Sequence, residues 1–176
     1  AGETTILART SSDLKDRLRI GVIEGDIKTD CDAQRIRAAG AEAIQIETEG
    51  AWHVSAPQVS WAVKKLPVND LDLVFIENVG NLVCPSAFDL GESGRVVVLS
   101  IPEGDDKPAK YPGTFANADV ILINKIDLIS YLKFDLQRVL SDIAVLNSKA
   151  RIIQISAATG QGMQTWYDWL MARQAS

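Results

Sequence analysis

Six short apolar runs rich in β-branched residues recur along the chain: "RIGVIEGD" from Arg19, "AIQIE" from Ala43, "LDLVFIEN" from Leu71, "RVVVLS" from Arg95, "DVILINK" from Asp119 and "RIIQIS" from Arg151. Each is followed by a polar turn and then by apolar residues at helical spacing. Continuous apolarity of this kind suits strands buried on both faces, and alternation with helices implies right-handed β-α-β crossovers. The pattern predicts a three-layer α/β fold with a mainly parallel sheet. Ligands of such sheets sit beyond the carboxyl ends of the strands. The polar stretches to read are therefore Glu24 to Asp32, Glu77 to Cys84, Pro102 to Lys107, Asn124 to Asp127 and Ser156 to Gly160.

With 176 residues, 47% of them hydrophobic, the chain can bury a full core, and no Pro/Gly/Ser-rich linker divides it. A single domain over 1–176 is expected. Eighteen Lys and Arg against 23 Asp and Glu give a net charge of −5 without basic runs, which argues against nucleic acid and anionic membranes as partners. Cys31 and Cys84 form no C-x-x-C pair, and no apolar segment is long enough for a signal peptide or membrane span. A reducing cytoplasm is the expected compartment.

The chain opens "AGETTIL", which resembles the end of a phosphate-binding loop, G-x-x-x-x-G-K followed by Ser or Thr. There, backbone N–H groups cradle phosphates, the Lys neutralises them, and a hydroxyl holds Mg²⁺. Gly2 and Thr4 fit, but Glu3 stands where the Lys belongs. "NKID" at Asn124 to Asp127 directly follows an apolar strand. A carboxylate at Asp127 would accept from guanine N1–H and its exocyclic amine, a donor pair adenine lacks. Asn124 would brace the base and the neighbouring loop, and the stem of Lys125 would lie over the ring. The plainer alternative makes Asp127 the N-cap of a helix beginning "LISYL". "ISAATGQGM" resembles a loop that approaches guanine O6 through a backbone N–H, at Ser156 and Ala157; alone it is equally a Gly-containing strand-to-helix turn. In "FIENVGNL", Glu77 is a strand-end carboxylate for Mg²⁺ or its water shell, and Gly80 allows a backbone N–H to approach and leave a γ-phosphate. Asp26, nearest the end of its strand, is placed for Mg²⁺ or the attacking water. Asp30 and Asp32 read as helix-start residues.

Taken together, "GDIKTDCDAQRIRAAG", "FIENVGNLVCPSAFDLGE", "VVVLSIPEGDDKPAKYP", "ADVILINKIDL" and "ISAATGQGMQTWYDWL" resemble successive signatures of the HypB family, the nickel-inserting GTPases of NiFe-hydrogenase maturation. The resemblance runs over essentially the whole chain. It implies a P-loop NTPase-type fold and a cytoplasmic GTPase that turns GTP into GDP and phosphate with Mg²⁺. It also implies a GTP-dependent homodimer, Ni²⁺ or Zn²⁺ at the dimer interface, a zinc-containing partner chaperone, and delivery of nickel to the hydrogenase large subunit. Carried over residue by residue, Gly2, Thr4 and Thr5 match the end of the phosphate loop, with Thr4 as a Mg²⁺ ligand. Asp26 and Glu77 match the acidic switch positions. Asn124, Lys125 and Asp127 match the base-reading motif, Cys84 the metal cysteine of the second switch, and His53 the histidine of a Cys-His pair.

Three departures change what is expected. The sequence begins inside the phosphate loop, so the strand before that loop is expected to be missing or truncated. Glu3 reverses a charge that phosphate binding uses; a unit charge pair about 4 Å apart is worth roughly 4 kcal/mol at an effective dielectric near 20. In "EGAWHVSA", Trp52 stands at the metal-cysteine position and Ser55 where an Asp is common. Indole is no ordinary ligand for Ni²⁺ or Zn²⁺, which leaves His53 and Cys84 from each subunit. The alternative function is therefore a nucleotide-impaired metal-binding or scaffold protein of the same fold. Met163, Trp166, Trp169 and Leu170 lie at helical spacing and read as an amphipathic C-terminal helix.

Overall fold

The computed structural model describes residues 2–26, 31–47, 54–77 and 94–175. The chain divides into two compact units, Glu3–Gly91 and Ala1–Gly2 with Glu92–Ser176. In the first, α1 (Glu3–Leu14) is followed by β1 (Ile20–Asp26), α2 (Cys31–Ala38), β2 (Glu42–Glu47), α3 (Ala56–Lys65) and β3 (Leu73–Glu77). The strands pair in parallel in the order β2-β1-β3. Register places Ile23 beside Ile44 on one side and Ile76 on the other, and Glu24 beside Glu77 at the carboxyl end. Ile23, Ile46, Val54, Val59, Ala62 and Leu66 form the core under α3. Buried Ile6, Leu7, Thr10, Ser11 and Leu14 make one face of α1. Ser55 caps α3: its hydroxyl accepts from the Gln58 N–H while the Gln58 side chain accepts from the Ser55 N–H.

The second unit runs β4 (Val96–Ser100), α4 (Lys107–Lys110), α5 (Pro112–Ala116), β5 (Val120–Asn124), α6 (Leu136–Leu146), β6 (Arg151–Gln154) and α7 (Met163–Ala175). Its strands pair in parallel in the order β4-β5-β6, with Ser100 beside Asn124 at the carboxyl end. Leu99, Ile121, Ile123, Phe115, Val139 and Ile143 are buried together. Asp135 caps α6 by accepting from the Arg138 N–H at 3.0 Å. In α7, Met163, Trp166 and Leu170 are buried, Trp166 stacks on Trp169 at 5.7 Å between centroids, and Arg173 covers the Trp169 ring.

All six apolar runs are therefore strands, every described pairing is parallel, and the fold is α/β. No α-helix begins at "LISYL". Ile126–Leu128 is a single 3-10 turn, and the next α-helix starts at Leu136. This removes the helix-capping reading of Asp127.

Candidate nucleotide site

The base-reading motif lies where β5 ends. Asn124 is 2% exposed, and its Oδ1 accepts from the Ala157 N–H at 3.2 Å, tying the "NKID" loop to the loop after β6. The backbone then turns through Lys125 at φ 61°, ψ 36°, the one described non-glycine residue with positive φ. Such a conformation costs a side-chain-bearing residue on the order of 1–3 kcal/mol and persists where the surroundings impose it. Here the Ile126 N–H bonds the Ile155 carbonyl at 3.1 Å and the Leu128 N–H bonds the Lys125 carbonyl at 2.9 Å, which fixes the turn. Asp127 is half-buried, and its Oδ1 is buried with no hydrogen-bond partner. A carboxylate oxygen in that state is an acceptor suited to a paired N–H donor.

The loop after β6 is held by its own backbone. The Ser156 N–H bonds the Gln161 carbonyl, the Gly160 N–H bonds the Ser156 carbonyl, and the Thr159 N–H bonds the Ser156 hydroxyl at 3.1 Å. The Ala157 N–H, which the sequence directs to guanine O6, is engaged by Asn124 in this structure. Gly162 has φ +73°, and a Cβ there would clash with the Gln154 carbonyl oxygen. Gly162→Ala is expected to destabilise the chain by about 3 kcal/mol or more, combining left-handed strain with a backbone clash. A urea titration of the variant checks this. Gly2 packs against the same region: at φ +88°, its Cβ would meet Asn124 Nδ2 at 2.8 Å. Only glycine lets the chain pass there.

The phosphate end of the motif set lies in the other unit. Thr4, in the first turn of α1, donates its hydroxyl to Glu77 Oε1 at 2.9 Å. Glu77 ends β3, and its Oε2 is buried with no hydrogen-bond partner. Beside it in register is Glu24, 2% exposed, which shares a hydrogen bond with Glu77. Burial pushes the Glu77 carboxyl above its ordinary value; the bonds with Glu24 and Thr4 lower it, and the charges of Glu3 and Asp32 add to the rise. Sequence reasoning assigned Glu24 no role. The signal was a carboxylate with apolar neighbours on its N-terminal side, "IGVIE", two residues before the strand ends, which a strand buried on both faces cannot turn to water. Thr5 is exposed and accepts from Arg35 Nη2 of α2 at 3.1 Å. Glu3 is the first residue of α1, where an acidic side chain favours the helix dipole.

The donor set at Thr4 and Glu77 fits Mg²⁺. It consists of hard oxygens, one of them a buried carboxylate oxygen without a partner. Magnesium keeps several waters and takes one or two protein ligands plus substrate phosphates. Among the described residues no group of three or more His, Cys, Asp or Glu side chains is arranged to hold a metal ion. Asp26 ends β1 and is described as backbone only. Gly80, Cys84, His53 and Trp52 lie outside the described residues. Cys31, at the start of α2, is an exposed free thiol.

The model of the "CobW/HypB/UreG, nucleotide-binding domain" family matches residues 1–154. The chain belongs to this family, in its HypB branch. It is 49% identical over 170 residues to the hydrogenase maturation factor HypB of Escherichia coli K12, covering 97% of this chain and 59% of that protein. The chain thus spans less than two thirds of that HypB's length. Among solved structures it resembles HypB from Archaeoglobus fulgidus, with a TM-score of 0.91 and 38% identity over 98% of this chain and 84% of the other. It equally resembles HypB from Helicobacter pylori in complex with nickel, with a TM-score of 0.92 and 37% identity over 99% of this chain and 82% of the other. The fold is that of these HypB structures. Among the described residues no helix is long and apolar enough to cross a membrane.

Proposed function

We propose that the chain is the GTPase domain of a nickel metallochaperone. It binds GTP with Mg²⁺, hydrolyses it to GDP and phosphate, and uses the cycle to dimerise and to pass nickel towards a hydrogenase large subunit with a zinc-containing partner chaperone in the cytoplasm. The observation that carries the reading is Asp127 Oδ1, buried without a partner on a turn that Lys125 and the Asn124–Ala157 bond hold open. Guanine supplies the matching donor pair. In this reading both units serve one GTPase domain. Ser156 backs the turn, and the Ala157 N–H is shared between Asn124 and the base.

Mg²⁺, when bound, neutralises charge on the phosphates and would be held by Thr4, Asp26 and Glu77. The chain's own part is positioning and charge stabilisation. Gly2, Thr4 and Thr5 set the phosphates at the start of α1, and Asp26 orients the attacking water. Gly80 brings a backbone N–H to the γ-phosphate and withdraws it after hydrolysis. Nickel or zinc is cargo, taken by Cys84 and His53 of each subunit. The nickel in the Helicobacter pylori HypB structure supports the cargo reading.

A second reading, a nucleotide-impaired scaffold, is favoured by Glu3 at the first position of α1. Calorimetric titration with Mg²⁺ and a slowly hydrolysed GTP analogue, with the ATP analogue as control, decides between the two. Guanine-selective binding is expected; no binding to either analogue would put the scaffold ahead.

A further inference from the structure

We propose that Arg35 supplies the phosphate-binding cation that the loop lacks, its guanidinium reaching the phosphates of the bound nucleotide from the neighbouring helix α2. The inference rests on the GTP-binding reading above and assigns a residue within it.

Glu3 leaves the first turn of α1 without the loop's own positive charge. The surrounding field is also acidic, since the charges of Glu3 and Asp32 both raise the Glu77 carboxyl. A triphosphate there carries more negative charge than Mg²⁺ alone offsets, so a protein cation beside it is favourable. Arg35 is already at the place: its Nη2 donates to Thr5 Oγ1 at 3.1 Å, bridging residues 30 apart in sequence. Buried Ala33 and Ile36 hold α2 against its unit, which fixes where Arg35 emerges. Among the described residues its ion pair is loose, Nη1 standing 3.8 Å from Asp32 Oδ1, and half of the side chain is exposed.

A guanidinium carries five N–H donors, and Thr5 takes one. The rest form a planar fork that matches phosphate oxygens two at a time, which a lysine ammonium does only as a point charge. An Arg approaching from a second helix can therefore do the work of a loop Lys while α1 keeps an acidic first residue.

The test is a calorimetric cycle over the parent chain, Arg35→Ala, Glu3→Lys and the double variant. Each is titrated with Mg²⁺ and the slowly hydrolysed GTP analogue, and separately with guanosine. Losing charge-assisted bonds to phosphate is expected to weaken the analogue about 10- to 100-fold in Arg35→Ala, with guanosine unchanged within about twofold. In the Glu3→Lys background the same substitution is expected to cost less than about threefold, because the loop cation is restored. Arg35→Gln keeps an N–H for Thr5 without the charge and should behave as Arg35→Ala. Equal penalties in both backgrounds, a matching loss of guanosine, or a parent chain that binds nothing while Glu3→Lys binds would each overturn the proposal. If neither the parent nor Glu3→Lys binds the analogue, the GTP reading falls and the assignment of Arg35 with it.

Discussion

Replacing Asp127 by Asn is expected to lower affinity for the GTP analogue by at least about 100-fold, since two hydrogen bonds to a charged acceptor are worth roughly 1.5–3 kcal/mol each. The carboxylate accepts from guanine N1–H and the exocyclic amine. An amide in its place turns an N–H₂ towards that amine and leaves one acceptor. Xanthine carries a carbonyl where guanine has the amine, so the variant should prefer xanthosine triphosphate, and competition between the two nucleotides reads this directly. The fold should survive, because Asp127 Oδ1 makes no hydrogen bond that the amide would forfeit and the turn is fixed by backbone bonds at Ile126 and Leu128. Unchanged preference for guanine would show that the base is read elsewhere and would remove the observation on which the function rests.

What the chain's pattern reveals about this site follows from the range of each interaction. The strands were legible because a strand buried on both faces must be apolar throughout, and "DVILINK" and "RVVVLS" can be little else. The position of Asn124 to Asp127 was legible because the motif directly follows an apolar strand, at the end where such folds put ligands. Its turn was not, because positive φ at a lysine comes from tertiary bonds, Ala157 to Asn124 and Ile126 to Ile155, that no local preference encodes.

Glu24 and Arg35 were missed for a related reason. Glu24 becomes meaningful only once β1 and β3 pair in the register that sets it beside Glu77. Arg35 acquires a role only when α2 lies next to α1, a contact between residues 30 apart. In the other direction, Ser55 was read as a departure from an acidic position, and the structure gives it a use as the cap of α3. The metal positions His53 and Cys84 lie outside the described residues. Their assignment rests on the resemblance.

Glu77→Gln should separate stability from function. Burial, with the charges of Glu3 and Asp32, holds the folded Glu77 carboxyl above its ordinary value of 4.5. Between that value and the raised folded one, the native chain keeps a proton that the unfolded chain has lost. Stability from this group therefore falls as pH rises through the window, and the deficit stays constant above it. A glutamine does not titrate. Its amide oxygen can accept from Thr4 and its N–H₂ can donate to Glu24, so the local bonds survive. The variant, melted without Mg²⁺ or nucleotide, is expected to have a higher Tm than the parent at pH 8, with the difference shrinking towards pH 4. Function should move the other way: an amide is a poor ligand for a hard dication, and Mg²⁺-dependent retention of the GTP analogue should fall about 100-fold or more. A lower Tm at pH 8 would mean that the carboxylate is a net structural support. Undiminished Mg²⁺ dependence would take Glu77 out of the magnesium site. The expected combination, a more stable protein that has lost its metal-dependent nucleotide, would mean that β3 ends in a charge whose burial is maintained at the expense of stability because the phosphate chemistry uses it.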